Sequence, residues 1–223
     1  MGRQEDRIRA ALAPHGILIR GGVGFDGDGP ELESGGRARS VVLLGNAGGS
    51  IWRSFSEWRQ ANPDAADPLD TWSMGVIRPV AEALGGTAYF PSERPWRPFQ
   101  QWAMRAEGLK PSPLGILIHP DYGLWHGYRG AIGFAEPIAF ADMPARPHPC
   151  DRCPGKPCLD ICPAGAVMSH RFDVPACRTY LVGEGEETCM RTGCIARNAC
   201  PVGAAYRYPP EQLRFHMAAL ARR

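Results

Sequence analysis

All eight cysteines of this 223-residue chain lie between Cys150 and Cys200, and the first 149 residues contain none. That concentration constrains the C-terminal part more than any other feature. Eight thiols in one short segment need a shared chemistry: disulfides, zinc or iron–sulfur ligation. Met1 to Pro14 carries Arg3, Glu5, Asp6, Arg7 and Arg9 and lacks the continuous apolar stretch of a signal peptide. No run approaches the length of a membrane span. The expected location is therefore cytoplasmic, with no membrane association, and reduced thiols there point to metal ligation.

The spacing sharpens this. Cys150-x2-Cys153-x4-Cys158-x3-Cys162-Pro163 approximates the ferredoxin run, in which three close thiolates hold one cluster and the fourth ligates its neighbour. Closely spaced cysteines let a tight loop wrap the corners of a cubane. Cys194-x5-Cys200-Pro201 echoes the end of that pattern, and Cys177 and Cys189 complete the eight thiolates that two 4Fe-4S clusters require. The expected pairing crosses between motifs: Cys150, Cys153, Cys158 and Cys200 for one cluster, and Cys162, Cys177, Cys189 and Cys194 for the other. The looser second half departs from the run. Zinc ribbons prefer two Cys-x2-Cys knuckles where this chain has one, and disulfides need an oxidising compartment.

Pro144, Pro147 and Pro149 read as a linker, which divides the chain into residues 1–145 and 146–223. The first part alternates helical and strand patterns. A short amphipathic helix ends at Pro14, and strands are expected at Gly16 to Ile19 and Val41 to Leu44. Ser50 is expected to cap a helix carrying Ile51, Phe55 and Trp58 on one face. A second helix from Asp70 would bury Ile77, Val80, Ala81 and Leu84 and stop at Gly85-Gly86. Ala88 to Phe90 reads as a strand, and Phe99, Trp102, Ala103 and Ala106 as a helix. Strands around Leu114 to His119 and Leu124 to Phe134 would flank a Pro-Asp-Tyr-Gly turn. A terminal helix after Pro209-Pro210 would turn Leu213, Met217 and Leu220 inward. Met74, Met104 and Met217 read as core fillers. The expected class is α+β layers. A formal charge of +2 puts no nucleic acid among the expected partners.

The cysteine layout resembles the C-terminal ferredoxin module of epoxyqueuosine reductases and corrinoid reductive dehalogenases. In those enzymes two 4Fe-4S clusters feed a bound cobalamin beside a nitroreductase-like α/β domain. The stretch from His119-Pro120-Asp121-Tyr122-Gly123-Leu124-Trp125 through Arg129-Gly130 is similar to a strand, turn and strand beside the corrin in the cobalamin-processing CblC family. The resemblance implies a nitroreductase-like α+β domain followed by a small ferredoxin-like domain, with His119, Trp125 and Arg129 as cofactor-binding residues. The chain departs from epoxyqueuosine reductases at Gly108 to Gly115, where their Gly-Trp-Ile-Gly-Lys stretch is missing, and it lacks their Arg-Asp-Tyr-His segment.

Residue chemistry leaves alternatives beside these roles. His119 is able to ligate or neighbour cobalt, or to satisfy a turn, and His126 reads as structural. Arg129 suits a carboxylate, phosphate or corrin amide, or a surface ion pair. Trp125 and Tyr128 suit stacking on a macrocycle or packing in a core. Gly45-Asn46-Ala47-Gly48-Gly49-Ser50 suits an anion or a simple tight turn. Three functions follow: an oxidoreductase relaying electrons from a donor protein to a corrinoid, cobalamin, or its substrate; a dicluster ferredoxin acting as a carrier; and a reductase of the same fold using FMN.

Overall fold

The computed structural model describes residues 3–140 and 146–222 and is mixed α+β with a small antiparallel sheet. Its strands are β1 (Leu18–Gly24), β2 (Ser40–Ala47), β3 (Thr87–Tyr89), β4 (Lys110–Pro111), β5 (Leu117–Ile118) and β6 (His126–Phe134). Its helices are α1 (Arg3–Leu12), α2 (Trp52–Ala61), α3 (Pro68–Ala83), α4 (Phe99–Glu107), α5 (Pro157–Asp160), α6 (Val174–Val182), α7 (Ile195–Asn198) and α8 (Pro210–Arg222). Two compact units result, Met1–Gly108 with Gly127–Ala145, and Leu109–His126 with Arg146–Arg223. The segment 109–126 thus belongs with the cysteine-rich part. Pro144 and the boundary expected near residue 145 lie outside the described residues.

In the first unit the sheet runs β1-β2-β6-β3. β2 is buried along nearly its whole length, as an apolar strand with both faces covered must be. α4 packs on β1, α3 on β3, and α1 against both α3 and β1. β1 pairs with β2 from Leu18↔Gly45 to Gly24↔Ser40, with a register shift between Ile19 and Gly22. That shift is a β-bulge at Arg20 and Gly21, the latter at φ 96°. A bulge re-aims a side chain, and here it accompanies burial of Arg20.

Most expected elements occupy their positions with ends moved by a few residues, as fraying termini allow. α3 begins at Pro68 and buries Ile77 and Ala81, while Gly85 at φ 68° ends it through Gly86 N–H donating to Ala81 O. Ser50 is not the cap of α2. Ile51 takes that position, and the Ser50 hydroxyl donates to Gly16 O at 2.7 Å. A Cβ on Gly16 would strike Ser50 O, so the two backbones approach closely and the hydroxyl is committed to that contact. Met104 is exposed rather than a core filler, because Phe99, Trp102 and Ala103 take the inner face of α4.

The second unit has little sheet: β4 pairs with β5 antiparallel, and His119 bridges Gly123 across the turn. Leu114, Ile118, Leu124, Val167 and Ala196 form an apolar core on which several cysteines pack. α5 lies against α7, and α6 packs on α8. Leu213 and Met217 of α8 are buried.

Candidate metal centre

Two four-residue helices organise the thiols. α5 carries Cys158 and is followed by Cys162; α7 is preceded by Cys194 and followed by Cys200. Cys158 and Cys200 belong to one expected set, Cys162 and Cys194 to the other, so each short helix of this packed pair connects both sets. The remaining ligand candidates come from separate local structures. Cys150 and Cys153 lie in and just after a 3-10 turn, Pro149–Arg152; Cys177 is on α6; Cys189 is in a π-helical turn, Glu186–Met190. Such π turns recur at functional sites.

The thiols sort electrostatically in the same way. Burial, then the charges of Cys200, Cys158 and Cys153, push the Cys150 thiol up to about 11 against the pull of Lys156. Cys158 is raised by burial, Cys200 and Cys153, and Cys200 by burial and Cys153. In the other set, burial and then Cys194, Cys162 and Cys189 push Cys177 up to about 11. Burial raises Cys194 with help from Cys189 and Cys162, while the Arg197 backbone N–H donates to it and pulls the other way. Every thiol neighbour of these five belongs to its own set.

The sets differ in depth. Cys150, Cys153, Cys158 and Cys200 are half-buried and line one pocket whose only other titratable residue is Lys156. Cys177 and Cys189 are buried at 8% and 6% exposure, in a core with Ala166, Leu181 and Met217. Cys162 and Cys194 pack against both apolar cores. All eight thiols are free. Among the described residues no three His, Cys, Asp or Glu side chains converge on one point as a single metal ion requires. A cubane makes a different demand: four thiolates, each on its own iron, surround a volume. Two all-sulfur sets in apolar surroundings, cross-connected by paired short helices, fit that donor chemistry.

No protein-family model matches this chain, and no curated protein matches it.

His119 is 6% exposed, and its Nδ1 accepts from the backbone N–H groups of Asp121 and Tyr122 at 3.0 and 3.1 Å. A neutral ring that accepts at Nδ1 carries its proton on Nε2, leaving no free lone pair for a metal. The ring stacks on Tyr122 at 4.3 Å. His126 Nε2 lies 3.0 Å from Leu117 O. Trp125 is fully buried, with the Arg197 guanidinium 4.6 Å from its ring centre and Tyr208 edge-on at 5.6 Å.

Arg129 belongs to the first unit. It is half-buried, and a Cβ on Gly127 would meet both its Nη2 and Asn46 Oδ1 at 3.3 Å. Asn46 Nδ2 donates to Gly48 O at 3.1 Å, which makes the glycine-rich loop an internally bonded turn. Tyr128 donates to Glu107 in a short contact, and Arg20 joins the same group from the bulge, with its Nη1 donating to Asn46 O at 2.9 Å. Sequence reading missed Arg20 and Glu107. An arginine amid the apolar residues of β1 was the signal for the first, and Glu107, at a helix end, gave none.

Proposed function

We propose that this chain is an iron–sulfur redox protein whose two thiol sets hold 4Fe-4S clusters and relay electrons to a corrinoid, or to the corrinoid's substrate, in the nitroreductase-like N-terminal part expected over residues 1–145. The observation that carries the electron-transfer part is the division of eight free thiols into two sets of four, connected crosswise through α5 and α7. Bound clusters would supply one-electron chemistry. The chain's own contribution is to hold sulfur in an apolar setting and to pack Cys162 and Cys194 against both apolar cores. The corrinoid part rests on the resemblance of the His119 to Gly130 stretch. In the tautomer its turn imposes, His119 would serve a corrinoid as an Nε2–H donor beside it rather than as a cobalt ligand.

One observation favours the carrier reading, a dicluster ferredoxin-like protein without an organic cofactor. Trp125 and the Nδ1 of His119 are both occupied in shaping the second unit. The same fold with FMN is the third reading.

Iron and acid-labile sulfide per chain on anaerobically purified protein test the first part. About eight irons support two cubanes, and zinc with no sulfide overturns them. An absorbance titration with cobalamin then separates the readings. A spectral shift that weakens in His119→Ala and Arg129→Ala, with iron unchanged, supports the corrinoid relay; no shift leaves the carrier, or FMN if flavin absorbance co-purifies.

A further inference from the structure

We propose that a cleft along the outer edge of β3 binds a small zwitterion of the amino-acid class, with its carboxylate on Arg97 and its ammonium on Glu33. The site lies wholly within the first unit and is independent of the thiol sets. β3 stands at the end of the sheet order and pairs with β6. Beside it is a cavity of about 270 Å³, with residues 87–90 as one side, residues 31–33 as a second and the stretch from Glu93 to Arg97 as a third. Two hydrogen bonds fix the acidic side on the strand: the hydroxyl of buried Tyr89 donates to Glu31 O at 2.8 Å, and Glu33 N–H donates to Thr87 Oγ1 at 2.9 Å. Stacking fixes the basic side. The Arg97 guanidinium lies 5.4 Å from the Tyr89 ring centre, and that of Arg94 lies 5.3 Å from the ring of exposed Trp96.

The charges around this cavity are not spent on one another. Glu93 takes the Arg78 guanidinium at 2.6 Å, and Glu33 reaches the same cation only at 3.9 Å. Among the described residues Glu31, Arg94 and Arg97 belong to no ion pair. Burial pushes the Tyr89 hydroxyl up to about 12, with Arg97 pulling against this and Glu33 adding to it, so opposite charges act on one hydroxyl from separate sides. An anion alone would meet Glu31 and Glu33, and a cation alone would meet Arg94 and Arg97. A molecule carrying both charges a few bonds apart satisfies both sides through charge-assisted hydrogen bonds. The planar fork of Arg97 suits a carboxylate, and the Glu33 carboxylate suits the three donors of an ammonium. The volume is too small for a drug-sized ligand, which limits the class to molecules about the size of a single amino acid.

L-Leucine, L-glutamate and L-lysine, whose side chains are apolar, acidic and basic, are the probes, titrated calorimetrically into the full chain. Saturable binding of at least one of them, in the millimolar range or tighter, is expected. The α-N-acetyl derivative of that probe lacks the ammonium and its α-amide lacks the carboxylate; each is expected to bind about tenfold more weakly. Arg97→Gln and Glu33→Gln are expected to weaken the parent probe by a similar factor, whereas Arg53→Gln, on the exposed face of α2, should leave it unchanged. Binding of none of the three probes overturns the proposal. So does undiminished binding of either derivative, which would mark a site for one charge only, or undiminished binding by either cleft variant. Should a cleft variant fail to fold, the two derivatives on wild type decide: weakening of both supports the zwitterion site, and weakening of one alone overturns it.

Discussion

Arg20 and Glu107 form a forked ion pair, Nη2 to Oε1 at 3.0 Å, with side chains only 2% and 8% exposed. Arg20 Nε and Nη2 both donate to the carboxylate, Tyr128 donates to it as well, and the guanidinium lies 5.3 Å from the Tyr128 ring centre. Removing one partner of such a pair strands the other charge. Glu107→Ala is expected to destabilise the first unit by about 3–5 kcal/mol. The double change of Arg20→Met with Glu107→Leu, which removes both charges and keeps volume, is expected to cost clearly less. Urea unfolding of the variants measures this, and equal losses would show that the charges are not coupled.

The same carboxyl gives a pH dependence. Burial raises Glu107 above its ordinary 4.5, against the opposing pull of the Arg20 charge and hydrogen bonds from Tyr128 and Arg20. A raised folded-state value means that the folded chain binds the proton more tightly than the unfolded chain. Its stabilising contribution is complete below 4.5 and is lost as pH rises through the folded value. Glu107→Gln cannot titrate, so its stability should fall less over that interval than that of wild type. Urea midpoints from about pH 4.5 to about pH 7 check this, and identical slopes in the two proteins would remove Glu107 as the source.

The thiol sets predict which cysteines fail together. Cys158→Ser is expected to lower the occupancy of the set it shares with Cys150, Cys153 and Cys200, while Cys177→Ser should affect the deeper one. Iron content near half in each single variant, with different residual paramagnetic signals, is the expected outcome. The same residual signal from both variants would contradict the pairing.

How much of this was legible in the sequence depends on how local its cause is. The cysteine spacing is such a local signal: Cys158 and Cys162 lie on and just after α5, and Cys194 and Cys200 lie on either side of α7. α3 was readable from Ile77, Ala81 and the Gly85 stop for the same local reason. What failed to show were contacts set by distant chain. Ser50 looks like a cap until Gly16 is brought against it, and Trp125 looks available until Arg197 and Tyr208 enclose it. The place of 109–126 in the second unit was equally hidden, since its contacts with distant chain set it.

Gly123 shows what fixes that segment. It sits at φ 57°, and a Cβ there would strike the carbonyl of Val202, two residues after Cys200. Gly203, at φ 68°, approaches Tyr122 in the same contact. The turn after His119 is thereby pressed on the loop that follows the last cysteine. Gly123→Ala combines left-handed strain with a backbone collision, so it should lower stability by more than the ~1 kcal/mol of an ordinary glycine replacement. The shallow set, through Cys200, should lose iron before the deep one. Preferential loss of the deep set's signal would count against this coupling.

Cluster removal should act on one unit. Without a bound group, the second unit must bury thiols that raise one another's proton affinity, and among the described residues its sheet pairing is the short β4–β5 ladder with the bridges His119↔Gly123 and Val167↔Phe172. The first unit has its own core around β2 and no cysteine. Because ligand binding to a site that exists only in the folded state is itself folding free energy, stripping the iron should lower the stability of the second unit selectively. Hydrogen exchange on loaded and stripped protein reads this directly. Protection is expected to fall in α6 and α8 and to persist in β2 and α3. A uniform fall across both units would mean that they unfold together, and unchanged protection in the second unit would mean that the thiols' surroundings hold their shape without the clusters.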